Sequence, residues 1–306
     1  MLPGAQRSLA RAAVNHIDTI GAVVGELKDN GRLSLMPVGT WSSRFAEGGR
    51  VSVFARGHVY RGQVLPLLAS GHAFNERIDH LPVAWNQIEV RLNEPCHNRE
   101  DLVALGLRSG DFVAFDSDPE ISASGYISAR HLDNKAGASA LLTALRAIRE
   151  SGQPPAIDFQ AIFTITEEVG TGAGSSLSDE VVEFVGIDIG PVAPGQNARE
   201  TGVTLCAQDT SGPFDQHMLR KFKQLCRDRG IAHQVDVFRY YYSDANSAVR
   251  AGHDVRDALI TFGTDATHGY ERTHLSSLLS VAQLLYAYSY SEPLAATVSA
   301  WHQHTK

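Results

Sequence analysis

Residues 131–168, HLDNKAGASALLTALRAIRESGQPPAIDFQAIFTITEE, decide the fold. Ala138, Leu141, Leu142, Leu145 and Ile148 form an apolar stripe at helical spacing, and Gly152 followed by Pro154 ends it. Ile157 to Ile165 is then a largely apolar run of strand length. Working outward to the C-terminus, the pattern predicts a strand over 182–187, a helix over 217–229, a strand over 234–240, a helical turn over 246–250, a strand over 258–262 and an amphipathic helix over 275–288. Alternation of this kind predicts an α/β fold, a sheet with helices on both faces in three α/β/α layers.

Toward the N-terminus the texture changes. Residues 12–25 read as one β-branched strand reaching Val23 and Val24. From about Arg32 to Ser128 the segments RLSLMPVG, RVSVFARG, HVYRGQVLPLL, NQIEVRL, DFVAFD and YISAR read as strands, with one short helix near 98–107. The expected organisation is therefore a discontinuous α/β domain, 1–35 and 125–306, interrupted by a β-barrel-like insert over 36–124.

Composition narrows the function. A chain of 306 residues that is 43% apolar buries a full core, and a net charge of −7 without a basic block disfavours nucleic-acid and anionic-membrane partners. A small soluble substrate is the better expectation. Cys96, Cys206 and Cys226 are widely spaced and form no C-x-x-C pair, which reads as thiols in a reducing compartment. The first residues, MLPGAQRSLARAAVNH, lack the apolar stretch of a secretory signal, so cytoplasm is expected.

Four segments place metal-capable side chains at or near strand ends, where α/β domains put their sites. In NHIDTIG, His16 and Asp18 stand two apart, so on a strand both face one way, and a carboxylate beside an imidazole orients a ligand histidine. In ARHLDNKAG, Asp133 precedes a helix; taken alone, an aspartate there is an N-cap. In FTITEEVGTGAGSS, Glu167 and Glu168 are adjacent, and neighbours in extended chain face opposite ways, so one is expected to ligate while the other meets the substrate. In VEFVGIDIG, Asp188 is read as ending a strand, and TDATHGYERTH supplies His268 and His274. The glycine-rich loop at 170–174 does not suit a dinucleotide: its spacing is G-x-G-x-G, and two carboxylates upstream repel a pyrophosphate. Two histidines, two aspartates and a glutamate, with one glutamate spare, suit two divalent cations about 3.5–4 Å apart, each with one His and one terminal carboxylate around a shared aspartate.

The order His-x-Asp, Asp-Asn, Glu-Glu, Asp and a late His resembles the dinuclear aminopeptidase family that includes glutamyl aminopeptidases and the tetrahedral, self-compartmentalised aminopeptidases. The likeness runs from about residue 12 to 290; GRLSLMPVGTW and LGLRSGDFVAFD resemble the ends of its inserted β domain. The ending HGYERTH is similar to a branch associated with synthesis of the osmoprotectant N-acetylglutaminylglutamine amide. The resemblance implies two ions, Zn or Co, with His16 and Asp188 on one, Glu168 and His268 on the other, and Asp133 bridging. It implies Asp18 as orienter of His16, Glu167 as general base, and a cis peptide at Asp133–Asn134. It further implies a peptide or dipeptide-amide substrate, a homo-oligomer supported by the β insert, and several dozen residues before the His16 strand. Asp244 in FRYYYSDANSA stands where the family has an acidic residue near the site; Arg239, Tyr240, Tyr241, Glu271, Arg272 and His274 are further pocket candidates. A non-catalytic binding protein on the same fold, or a fragment unable to assemble its site, is the alternative. The intact ligand set with Glu167 beside Glu168 favours the enzyme.

Overall fold

The computed structural model describes residues 1–294 in two compact units. The first, residues 1–18, 119–267 and 271–294, is built on a seven-stranded sheet. Its strands run in the order Ile157–Thr164, Gln6–His16, Val181–Pro191, Arg256–Thr264, Val203–Asp209 and Gly212–Pro213, with His233–Val237 also paired to Val203–Asp209. The first four are mutually parallel, so the C-terminal ends of all four point the same way. Register puts His16 beside Thr164, and Asp188 beside Thr261.

Burial on both faces explains the near-continuous apolar strands. On one side, Leu141, Ala144, Val281, Leu285 and Phe222 from the helices Leu132–Glu150, Leu275–Ser289 and Gln216–Arg229 pack with Val185, Ile187, Ile260 and Phe262. On the other, Ala245 and Ala248 of the short helix Asp244–Arg250 pack with Ala12, Val14, Phe184 and Leu259. Helices therefore cover both faces, as the alternation predicts. Leu142, counted in the apolar stripe, is 54% exposed and points away from the core.

At the opposite end of the sheet from the strand C-termini, Arg11 and Glu183 form a fully buried ion pair, Nε to Oε2 2.8 Å. The Tyr288 hydroxyl donates to Glu183 at 2.7 Å, and Arg11 Nη1 donates to the Tyr288 carbonyl at 2.6 Å. Burial alone would raise the Glu183 carboxyl, but Arg11, Lys221, the Tyr288 hydroxyl and the Leu294 N–H together hold it below its ordinary range. The network ties the last helix to the adjacent strands Gln6–His16 and Val181–Pro191.

The second unit, residues 19–118 and 268–270, is a closed six-stranded barrel: Gly21–Leu27, Leu33–Val38, Ile88–Leu92, His58–Pro66, Arg50–Ala55 and Phe112–Phe115, which returns to Gly21–Leu27. Trp41 seals its core, edge-on to Trp85 at 4.8 Å and to Phe115 at 5.0 Å, with its indole N–H donating to the Gly21 carbonyl at 3.0 Å. The expected helix near 98–107 spans Arg99–Ala104, and the Asn98 side chain caps it by accepting from Asp101 N–H.

Two expectations are corrected. Residues 12–25 are not one strand: Gln6–His16 lies in the open sheet and Gly21–Leu27 in the barrel wall. The barrel unit accordingly starts at Thr19, and not at residue 36, because Gly21–Leu27 pairs with Leu33–Val38 and Phe112–Phe115. The strand Val203–Asp209 was not expected at all. It runs antiparallel to Arg256–Thr264 and is mixed in polarity, VTLCAQD, so no clean period marks it.

Candidate metal centre

His16 is the last residue of its strand and is 1% exposed. Its Nε2 lies 3.0 Å from Asp133 Oδ1, and 3.7 Å from both Glu167 Oε2 and Asp188 Oδ1. Two overlapping groups form, His16 with Glu167 and Asp188, and His16 with Asp133 and Glu168; within each, one ligand atom per residue lies within 4.8 Å of the others. Five sequence-predicted residues thus converge at the C-terminal ends of the parallel strands.

Each arrives by a local device. Asp18 lies past the strand end, contrary to the expectation that it shares a strand with His16. Its carboxylate Oδ1 is 3.6 Å from His16 Nδ1 and also accepts the Glu167 N–H at 3.2 Å, while Oδ2 accepts the Glu168 N–H at 3.1 Å. The His16 Nδ1 is held by the Asp18 main-chain carbonyl at 3.1 Å, so one residue orients the imidazole through its backbone and fixes the turn bearing both glutamates through its carboxylate. Glu167 and Glu168 are not in extended chain; the strand stops at Thr164 and they occupy a turn closed by Gly170 N–H to the Glu167 carbonyl, 2.7 Å. The alternation argument fails for that reason, and both carboxylates reach the cluster.

Asp133 is not the N-cap. His131 occupies that position, and Asp133 with Asn134 departs from helical geometry inside the first turn, with a cis peptide between them. The Asp133 carboxylate faces His16 and Thr267, whose hydroxyl donates to Oδ2 at 3.4 Å. Glu271, 1% exposed, accepts the Asp133 N–H at 3.0 Å and so holds the backbone of a cluster residue.

Two buried asparagines that sequence reasoning passed over hold the same region. Asn134 Nδ2 donates to the Ile187 carbonyl at 2.8 Å; Asn15 Nδ2 lies 3.3 Å from the carbonyls of Asn134 and Ile187. A Cβ on Gly137 would fall 2.0 Å from Asn134 Oδ1 and 2.5 Å from Asn15 Nδ2, so glycine is required there. The only signal was adjacency: each asparagine neighbours a metal-capable residue, Asn15 before His16 and Asn134 after Asp133.

The remaining candidates go elsewhere. His274 caps the last helix, with Nδ1 2.7 Å from Ser276 Oγ and Nε2 2.9 Å from the Ser124 carbonyl. Arg272 pairs with Glu200 through two bonds of 2.7 and 3.0 Å. Asp244 bonds Thr164 and Ala173. Tyr241 donates to the Ile189 carbonyl at 2.7 Å, whereas Tyr240 is 97% exposed, and Arg239 presents its carbonyl to the Thr210 hydroxyl. His268 belongs to the barrel unit and is in neither group; its Nδ1 is 3.0 Å from the Thr40 carbonyl.

Electrostatics decides what the cluster accepts. Burial, then the charge of Asp188, and also Asp133 and Glu168, push the Glu167 carboxyl far above its usual range. Burial and Asp133 raise Asp188 as well. Burial would depress His16, yet Asp133, Asp18 and Asp188 outweigh it and raise the imidazole. Two carboxylates at about 4 Å repel by about 4 kcal/mol at an effective dielectric of about 20, so the group takes up protons when it has no other cation. A buried set of one imidazole and several carboxylates short of positive charge fits divalent metal ions.

Comparison with known proteins agrees with this geometry. The M42 glutamyl aminopeptidase family matches residues 1–284. YhfE of Bacillus subtilis (strain 168) is 38% identical over 290 residues, 94% of this chain and 83% of its own. Among solved structures, the TET aminopeptidase of the marine sediment archaeon Thaumarchaeota archaeon SCGC AB-539-E09 superposes with a TM-score of 0.85 at 17% identity, covering 97% of this chain and 84% of that one. The TET1 peptidase of Pyrococcus horikoshii gives 0.82 at 21% identity over 95% and 86% of the two chains. The fold is theirs, and the chain belongs to the M42 glutamyl aminopeptidase family, a family of peptidases.

Proposed function

We propose that the chain is a cytoplasmic aminopeptidase that hydrolyses peptide or amide bonds of small peptides with two divalent ions, zinc or cobalt. His16, Asp133, Glu168 and Asp188 would hold the ions. The observation that carries this reading is the convergence of an imidazole and four carboxylates at one buried sheet edge. Bound there, the ions would supply Lewis acidity toward a scissile carbonyl and lower the pKa of water. Glu167 would take a proton from the attacking water and return it to the leaving amine. Asp18 would keep the imidazole oriented and the Glu167–Glu168 turn in place. The three free cysteines support a reducing compartment. Among the described residues no helix is long and apolar enough to cross a membrane.

Exhaustive chelation is expected to reduce hydrolysis of aminoacyl p-nitroanilides at least 100-fold, and added Co²⁺ or Zn²⁺ to restore it. Full turnover in metal-free protein, verified by elemental analysis, would dismiss the reading. N-acetylglutaminylglutamine amide belongs in the same substrate panel, because HGYERTH is similar to that branch.

Self-association is part of the proposal. The Pyrococcus TET1 peptidase can assemble into a tetrahedron or a large octahedral shell. On the barrel of this chain, Met36, Val23, Phe112, Phe54 and Val59 stand in register across five consecutive strands. Opposed residues of antiparallel strands share a face, so they form one apolar row, with Met36, Phe112, Phe54 and Val59 60%, 65%, 47% and 54% exposed. Phe112→Lys is expected to shift sedimentation toward smaller species without unfolding the barrel. An unchanged distribution would acquit this row.

A further inference from the structure

Asp244 opens the short helix Asp244–Arg250, and the residue is 3% exposed. Its carboxylate is engaged twice: Oδ2 accepts from Thr164 Oγ1 at 2.6 Å, and Oδ1 accepts from Ala173 N–H at 2.7 Å. These two partners flank the segment 165–172 that carries Glu167 and Glu168. One carboxylate therefore joins the two ends of that loop. Gly172 is what allows the approach, since a Cβ there would lie 1.6 Å from Asp244 Oδ1.

Inside the loop, the Thr166 carbonyl accepts from Thr171 and Gly172 N–H, both at 3.1 Å. At its tip the Asp18 carboxylate takes the N–H groups of Glu167 and Glu168. Tip and base are thus each fixed by a carboxylate from elsewhere in the chain, and Glu167 and Glu168 keep their own carboxylates for the cluster. Hydrogen bonds to an ionised acceptor are short and strong, and at a buried base water does not compete for them.

We infer that Asp244 is a positioning residue: it clamps the base of the 165–172 loop and so aims Glu167 and Glu168 at the metal centre. This role is drawn from its contacts to Thr164 and Ala173 and is distinct from the pocket role that the sequence suggests for it. The inference rests on the peptidase reading above for its catalytic arm and on metal binding alone for its other arm.

The test compares the full chain with Asp244→Ala, Gly172→Ala, Thr164→Val and Asp244→Asn. Cobalt(II) is titrated into metal-stripped protein and followed by its visible absorption; kcat and KM are then measured on leucine p-nitroanilide. Asp244→Ala and Gly172→Ala are expected to weaken cobalt affinity and to lower kcat by about 10- to 100-fold each, the range for partners that orient ligands. KM stays within about twofold, and the cobalt band changes shape. Thr164→Val removes one of the two bonds and gives a smaller loss. Asp244→Asn stays within about fivefold, because its oxygen still accepts from Ala173 N–H and its amide donates to the Thr164 hydroxyl.

Wild-type cobalt affinity, spectrum and kcat in both Asp244→Ala and Gly172→Ala, with only a lowered Tm, would overturn the clamp. If the unmodified chain binds cobalt and cleaves no aminoacyl amide, the peptidase reading fails, and the affinity series still decides the clamp.

Discussion

Glu167→Gln is expected to retain its metal content and to lose about 10²- to 10⁴-fold in kcat on an aminoacyl p-nitroanilide, the range for removing a general base. The substitution is isosteric and leaves the Glu167 N–H to Asp18 intact, so the turn that also carries Glu168 keeps its anchor. What disappears is one proton-accepting oxygen, 3.7 Å from His16 Nε2. Elemental analysis beside the rate measurement separates two roles. Glu167 also stands in a ligand-distance group with His16 and Asp188. Loss of metal in step with loss of rate would make it a ligand instead of the base, and near-normal turnover would remove it from the chemistry.

How much of this was legible beforehand depends on the range over which each residue's role is set. The α/β alternation after residue 131 was legible because helix stripes and buried strands are local patterns. Glu167, Glu168 and Asp188 stood out because carboxylates at apolar strand ends have few structural uses. The passage from open sheet to barrel between His16 and Gly21 was not legible: four residues without a proline or an internal glycine separate two strands of different sheets. Pairing partners, which sequence does not display, decide that boundary.

The same holds for the supporting polar groups. Asn15, Asn134, Thr164 and Asp244 act through contacts 53 to 172 residues distant along the chain. Read locally, Asp244 is a helix residue and Thr164 a strand residue. The Glu167–Glu168 pair shows the converse error. Its strand-like flank invited an alternation argument, and a tertiary contact, the Asp18 carboxylate with two backbone N–H groups, holds a turn there instead.

Asp133→Asn tests the electrostatic account in two directions at once. Asp133 contributes Oδ1 at 3.0 Å from His16, and its charge is among the causes that raise both Glu167 and Asp188. Removing that charge is expected to weaken cobalt binding by well over 100-fold, beyond what loss of an orienting partner costs. Turnover should fall with it. Metal-free protein should respond in the opposite sense: with one carboxylate fewer in a crowded buried group, the variant is expected to be more stable than metal-free wild type. If uptake of protons already relieves part of the roughly 4 kcal/mol repulsion of a close pair, the remaining gain is about 1–2 kcal/mol, a rise of about 1.5–3 °C in Tm for a chain of this size. Calorimetry on chelated samples reads this directly. A metal-free variant less stable than wild type would mean that Asp133 serves the fold more than the cation, through its bonds to Thr267 and His16, and the cluster would have to be explained as a structural network.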